Sequence, residues 1–256
     1  MSQPVRVATL TYHAVGTAED PSTARFSVSP ARFREQLEAI ARAGARPVSI
    51  DGELPDEKVF MLSFDDGDSS AIEVVAPSLA SHDWPAHFFV VTAGIGSPGS
   101  VSRDAVRELR AAGHVVGSHS HTHPRLDRVD ETELADEWAR SRALLEDLLG
   151  EPVESASIPY GYAPQRVIEA ACVAGYRHVF TSEPRTRPEN VDGSNVYGRF
   201  SVISDTPAER VAAIATFSRA TLVRERAFWE TRRVAKLMLG PAFEQVRDRL
   251  LAGRHG

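Results

Sequence analysis

Apolar residues in this chain come in short unbroken runs, separated by longer stretches where they recur every third or fourth position. The runs predict buried strands at Val5 to Tyr12, Pro47 to Ile50, Lys58 to Phe64, Ala86 to Val91, His114 to Gly117, Val153 to Ile158, Arg177 to Thr181 and Tyr197 to Ile203. The intervening stretches predict helices. Ser29-Pro30 opens the first, Phe33, Leu37 and Ile40 form its apolar face, and Gly44 stops it. Further helices are predicted over Ser69 to Ala80, from Ser102 to Gly113, over Asp130 to Leu149, Pro164 to Ala174 and Pro207 to Phe217, and from Leu222 to a break at Gly240-Pro241. Ser182 to Ser194 reads as a polar loop. Strands and helices alternate throughout, which predicts a parallel sheet, and the number of units favours a barrel over an open sheet.

Composition changes this picture little. The 256 residues suit one large α/β domain, and 42% hydrophobic with 25% charged residues is an ordinary folded balance. A net charge of −6 gives no support to a nucleic-acid partner. One cysteine, Cys172, allows no internal disulfide. The first residues contain no apolar core of a signal peptide, and no run reaches the ~18 apolar residues of a spanning helix, so a cytoplasmic protein is expected. Residues 221–256 depart from the average, with eight Lys/Arg against four acids, while the rest of the chain carries −10. The expected division is a barrel over 1–220 and a basic helical extension over 221–256, packed on the barrel or lying peripherally on the inner face of a membrane.

The chemistry starts at Asp65-Asp66-Gly67, just past the predicted strand Lys58 to Phe64. Adjacent carboxylates repel unless a cation lies between them, and a metal ion is the usual cation. About fifty residues on, His119 and His123 stand four apart. Asp66, His119 and His123 would make a three-ligand metal site and leave Asp65 as a base. His13, the Asp65-Asp66 pair, the histidine cluster and Pro159-Tyr160 all follow predicted strands. In a βα barrel those positions share the C-terminal mouth, where active sites sit. His121 reads as a surface residue or a neighbour of the ligands rather than one of them, His87 as packing within a strand or support behind the ligands, and His82 and His114 as surface or loop-edge positions.

Ser63-Phe64-Asp65-Asp66-Gly67, His119-Ser120-x-x-His123 and Pro159-Tyr160-Gly161, in that order and rough spacing, resemble the NodB-type polysaccharide deacetylases, carbohydrate esterase family 4. The opening Thr11-Tyr12-His13 resembles many members too. The resemblance spans roughly residues 5–205. It implies a distorted (β/α)7 barrel, one divalent metal ion (zinc, or cobalt, nickel or manganese), and hydrolysis of an N-acetyl group from an amino sugar. It further implies Asp66, His119 and His123 as metal ligands, Asp65 as general base, and the Tyr160 backbone N–H, with Pro159 and Gly161 beside it, as an oxyanion donor. Three departures stand out. The family's arginine two residues before the proline is Ser157 here, and Arg199 is the candidate to replace it. No Leu-x-x-His follows residue 181, so His13 is the candidate proton donor, with Asp65 acting twice as the other route. The family's tryptophan motif is missing, since Trp229 falls in a helical stretch. The implied partner is an N-acylated amino sugar of a glycan, glycolipid or glycoconjugate. A deformylase, another non-peptide amide hydrolase and a degenerate glycan binder are the competing readings.

Overall fold

The computed structural model describes residues 5–16, 23–51, 54, 57–161 and 163–239. In chain order the elements are β1 (Arg6–Tyr12), β2 (Ala14–Val15), β3 (Ser27–Val28), α1 (Pro30–Arg42), β4 (Lys58–Phe64), α2 (Ala76–Ala80), β5 (His87–Val90), α3 (Arg103–Ala111), β6 (Val115–Ser118), α4 (Glu131–Leu149), β7 (Ser155–Ser157), α5 (Gln165–Val173), β8 (His178–Phe180), β9 (Glu189–Val191), β10 (Ser194–Tyr197), β11 (Arg199–Ser201), α6 (Ala208–Ala215) and α7 (Arg219–Leu239). The sequence signals that set helix ends are visible. Ser29, Ser102 and Asp130 each cap a helix start with a side-chain oxygen, and Gly150 ends α4 in the left-handed conformation.

Nine strands form one sheet in the order β11-β1-β4-β5-β6-β7-β8-β10-β9, parallel except for β9. The sheet curls into the distorted (β/α) barrel that the motifs implied. β10 and β11 are two halves of a single stave, with β10 pairing with β8 and β11 with β1, so this stave joins the two ends of the curl. Counted that way there are seven staves.

Alternation along each strand makes two cores. One set of residues, including Leu10, Tyr12, Leu62, Phe64, Phe88 and Val116, packs under the helices. The other set, including Val7, Val59, Met61, Phe89, Val115 and Phe180, fills the barrel. Both faces of the strands are covered, which is why they read as unbroken apolar runs. The barrel filling turns polar toward the strand C-terminal ends, where Thr11, Ser63, Ser157 and Arg199 are buried. This polar layer is the floor of the mouth.

Several expectations need correction. The strand predicted at Pro47 to Ile50 is a single bridge to Phe60. The Ser69 to Ala80 helix begins as a π-helical turn over Ala71–Val75. The polar loop after residue 181 contains β9. The last predicted strand breaks at Gly198, which lies against the Glu183 carbonyl and Arg185 so closely that no side chain would fit. That break lets the stave change partners. His114 stands where the loop meets β6, but it does not face solvent. It is buried, and its Nδ1 accepts from the Ala86 N–H.

The start of the basic extension lies on the barrel. Arg210 of α6 makes a two-pronged pair with Glu225 of α7, both contacts 2.7 Å, and Arg226 pairs with Glu183. The predicted break at Gly240-Pro241 lies outside the described residues. No helix among the described residues is long and apolar enough to cross a membrane.

Candidate metal centre

Asp65 continues the inward alternation of β4, and its N–H is held by the Tyr12 carbonyl at 2.9 Å. Asp66 would point outward on a regular strand. Instead its φ is +74°, and Gly67 follows at +73°. Two left-handed residues in succession turn the chain and bring both carboxylates to the same mouth. Gly67 is required there, because an added Cβ would come 2.9 Å from Val90 Cγ1.

His119 leaves β6 and donates its Nδ1–H to the Ser157 carbonyl at 2.9 Å. A carbonyl can only accept, so the hydrogen sits on Nδ1 and Nε2 keeps its lone pair. Nε2 lies 3.4 Å from Asp66 Oδ1, and His123 Nε2 lies 3.5 Å from the same oxygen. The ligand atoms of Asp66, His119 and His123 all fall within 4.8 Å of one another. Bonds of ~2.0–2.1 Å to a tetrahedral zinc put neighbouring ligand atoms about 3.4 Å apart. The spacing and the donor set therefore fit a divalent ion of that kind.

The loop between the histidines is strained and tied down. Ser120 and His123 both have positive φ, +64° and +62°. Ser120 Oγ accepts from the His123 N–H at 3.0 Å, and Ser118 Oγ accepts from the Ser120 N–H at 3.0 Å. Glu137, buried on α4, accepts from the N–H groups of His121 and Thr122 at 2.8 Å and from the Thr122 hydroxyl at 2.6 Å. The His121 ring turns away from the centre to bond Thr92 Oγ1 at 2.9 Å.

Asp65 stays outside the ligand triangle, 3.8 Å from His119 Nε2. Arg199, almost fully buried, grips both its oxygens at 2.7 and 2.8 Å. Ser157 Oγ accepts from Arg199 at 2.7 Å and donates to Asp65 at 3.1 Å. The guanidinium also donates to the Thr181 carbonyl and lies over the Phe89 ring at 5.7 Å. Arg199 thus reaches Asp65 from β11, and Ser157 bonds to both.

The electrostatics follow. Burial alone would raise the Asp65 carboxyl, but the charges of Arg199 and His119 outweigh it and hold its pKa below the usual range. Asp66 is likewise pushed up by burial and pulled down further by His119, His13 and His123. Burial and the charge of His119 press His123 down to about 4, so its imidazole is neutral at pH 7. Burial disfavours the charged form of His119, yet Asp65 and Asp66 more than offset that and raise it.

His13 follows Tyr12, which is in register with Phe64, so it stands level with Asp65 on the neighbouring strand. Its Nδ1 is buried with no hydrogen-bond partner among the described residues. Tyr160 sits at a left-handed kink, φ +58°, with its ring 4.7 Å from that of His123. Pro159 is buried beneath it, and the Gly161 N–H bonds the Ile158 carbonyl at 3.2 Å. All the predicted site residues therefore gather at one mouth.

A family model described as polysaccharide deacetylase matches residues 52–179, half of the chain. The chain belongs to the polysaccharide deacetylase family. It is 32% identical over 137 residues to a chitooligosaccharide deacetylase of Bradyrhizobium sp. (strain ANU 289), covering 52% of this chain and 61% of that one. It is 30% identical over 109 residues to a peptidoglycan-N-acetylglucosamine deacetylase of Bacillus cereus, covering 43% and 38%. In each case less than two thirds of the relative's length is spanned. Its fold matches the Streptococcus pyogenes deacetylase PplD with a TM-score of 0.71 and 24% identity, over 81% of this chain and 96% of the other.

The deacetylase match encloses Asp65, Asp66, His119, His123 and Pro159 to Gly161. His13 precedes it and Arg199 follows it. Sequence reasoning missed what Ser157 and Glu137 do. Ser157 stood out only as the place of an absent arginine. Glu137 left a fainter signal, an acid in the apolar stripe of Leu134, Trp138 and Leu145.

Proposed function

We propose that this protein is a metal-dependent hydrolase that removes an N-acetyl group from an amino sugar. The observation carrying the reading is the convergence of Asp66, His119 and His123 beside a second carboxylate, Asp65, held apart from them by Arg199. The two relatives named above, a chitooligosaccharide and a peptidoglycan-N-acetylglucosamine deacetylase, support the substrate class.

A divalent ion held by Asp66, His119 and His123, zinc by preference, would acidify a water and polarise the amide carbonyl. Asp65 takes the proton of the attacking water at Oδ2, the oxygen nearest His119. Arg199 and Ser157 fix that carboxylate in one orientation and keep it ionised. The Tyr160 N–H meets the tetrahedral oxyanion. His13 delivers the proton to the leaving amine, and return of the Asp65 proton is the second route.

Arg199 on Asp65 weighs against a degenerate binder, since the missing arginine at Ser157 is one of the two absences, with the terminal Leu-x-x-His, that support one. Asp65→Asn separates the readings. Acetate release from N-acetylglucosamine oligomers should fall by ~10²–10⁴, with metal content unchanged. Equal release by the variant would remove Asp65 from the chemistry. A parallel panel of N-formyl and other N-acyl substrates distinguishes deacetylation from deformylation. A clear preference for formyl would overturn the acetyl assignment.

A further inference from the structure

Among the described residues, six large apolar side chains are exposed, and three of them share one helix: Val223, Phe228 and Val234 of α7, at 63%, 60% and 43%. Val223, Ala227 and Val234 recur at helical spacing, so they line one outward face, with Phe228 beside it. The opposite face seats the helix. Leu222 packs against the core, Glu225 is buried and bonded by Arg210 of α6, and Trp229 is half-buried. Further along, Thr231, Arg232, Arg233 and Val234 are all exposed. Four consecutive residues complete a turn, so no face of the helix there rests on the described part of the molecule.

α7 also climbs the barrel wall. It follows Phe217, whose ring centroid lies 5.4 Å from the Arg6 guanidinium carbon and 5.8 Å from Lys58 Nζ, at the first residues of β1 and β4. At Arg226 it pairs with Glu183, just past the end of β8. Strand starts are the foot of the barrel and strand ends its mouth, so the helix runs from foot to rim. It continues to Leu239, about 20 Å beyond Arg226 at ~1.5 Å per residue.

The charges on this helix select the surface it can meet. Between residues 219 and 234 there are five arginines and two glutamates. Both acids are taken, Glu225 by Arg210, and Glu230 by Arg226 and Arg233 at 2.8 Å each. Arg219 and Arg224 are exposed and have no acidic partner among the described residues. Arg232 lies over one side of the Phe228 ring, its guanidinium carbon 5.7 Å from the centroid. Two copies of such a face would repel each other. An apolar face flanked by arginines is complementary to an anionic bilayer, where apolar side chains enter the acyl boundary and guanidinium groups stay among the headgroups.

We propose that the outward face of α7 docks the protein on the surface of an anionic phospholipid bilayer. Val223, Phe228 and Val234 enter the headgroup boundary, and Arg219 and Arg224 pair with lipid phosphates. The helix lies along the bilayer, so the mouth near its upper part opens at the membrane surface. Docking of this kind needs no turnover at the mouth and is measured without any.

The test is flotation of the full chain with vesicles of phosphatidylcholine, alone or with about a third phosphatidylglycerol. Anionic vesicles should bind the protein at least about tenfold better than neutral ones, and the difference should shrink as salt rises to ~0.5 M. Phe228→Ser should weaken binding about tenfold, and Phe228→Trp should keep it. Arg219→Glu combined with Arg224→Glu should weaken it at least as much. Val234→Ser, on the turn that touches nothing else described, is the second apolar variant and should also weaken it. Unchanged melting temperatures show that these exposed substitutions leave the fold intact. Equal flotation with neutral and anionic vesicles, or flotation with neither, would overturn the proposal. So would binding that the arginine variant abolishes and both serine variants keep, which is a plain polyanion contact. A chain that light scattering finds dimeric, that Phe228→Ser makes monomeric and that ignores vesicles, would assign the face to a second copy instead.

Discussion

Asp65 has to satisfy two opposed demands. As the proposed base it must be shielded from solvent, and burial makes a carboxylate hard to ionise. Arg199 resolves this by gripping both oxygens, so the group stays charged inside the barrel. A lysine would keep a positive charge but could not make the two-pronged grip. In Arg199→Lys the Asp65 pKa should therefore rise, and the acidic limb of the pH–rate profile should move to higher pH. An unmoved limb would show that Arg199 does not set the base. His87 gives a second pH effect, this time on stability. It is fully buried, bonds the Leu62 carbonyl and the Ile50 N–H, and is pressed down to about 4 from 6.5, mainly by burial. Between those values the unfolded chain binds a proton that the folded one refuses, so stability falls as pH falls through that window. The full loss is about 3 kcal/mol. Urea titrations from pH 7 to pH 4 should show this slope, and His87→Gln should flatten it; equal slopes would assign the effect elsewhere. At this scale the sequence was readable where the chemistry is local. Asp65-Asp66 and His119-x-x-x-His123 carry their meaning in their spacing. Arg199 is 134 residues from Asp65, so its partner could be guessed only from an absence at Ser157.

The loop between β6 and α4 illustrates how an element supports a site. His119 belongs to the end of a strand, but His123 depends on a turn with two left-handed residues. Glu137 holds that turn from the next helix through three hydrogen bonds. Removing them in Glu137→Ala should weaken metal affinity by about 10–100-fold, as loss of groups supporting ligands typically does. Glu137→Gln keeps a carbonyl oxygen for the two backbone N–H groups and should lose much less. Metal titration with a chelating indicator measures both, and unchanged affinity in the alanine variant would deny Glu137 this part. Element existence was legible because caps and apolar periods are local. What was not legible was pairing. The sequence reads as one strand through Gly198, but the crowding there that splits it comes from Glu183 and Arg185 in the preceding loop. β9 opens on the exposed, polar Glu189 and Asn190, so its strand character comes from β10 beside it.

At the scale of the molecule, the seventh stave has two jobs. It joins β8 to β1, and at its middle it delivers Arg199 to Asp65. Fold closure and site chemistry therefore depend on the same few residues, just beyond the stretch that the deacetylase family model matches. The barrel and its mouth were foreseeable from alternating elements and from the position of every polar cluster after a strand. The polar floor of Thr11, Ser63 and Ser157 was not, because small hydroxyl residues in a strand look alike whether they face helices or the barrel interior. The central claim is that Asp66, His119 and His123 hold one divalent ion without which Asp65 has no water to act on. The direct test is metal content of the purified protein, together with acetate release from N-acetylglucosamine oligomers, before and after chelation. About one ion per chain is expected, with release that stops on chelation and returns with added zinc. A protein that binds no metal under replete conditions, or that releases acetate equally well without it, would overturn the three-ligand centre.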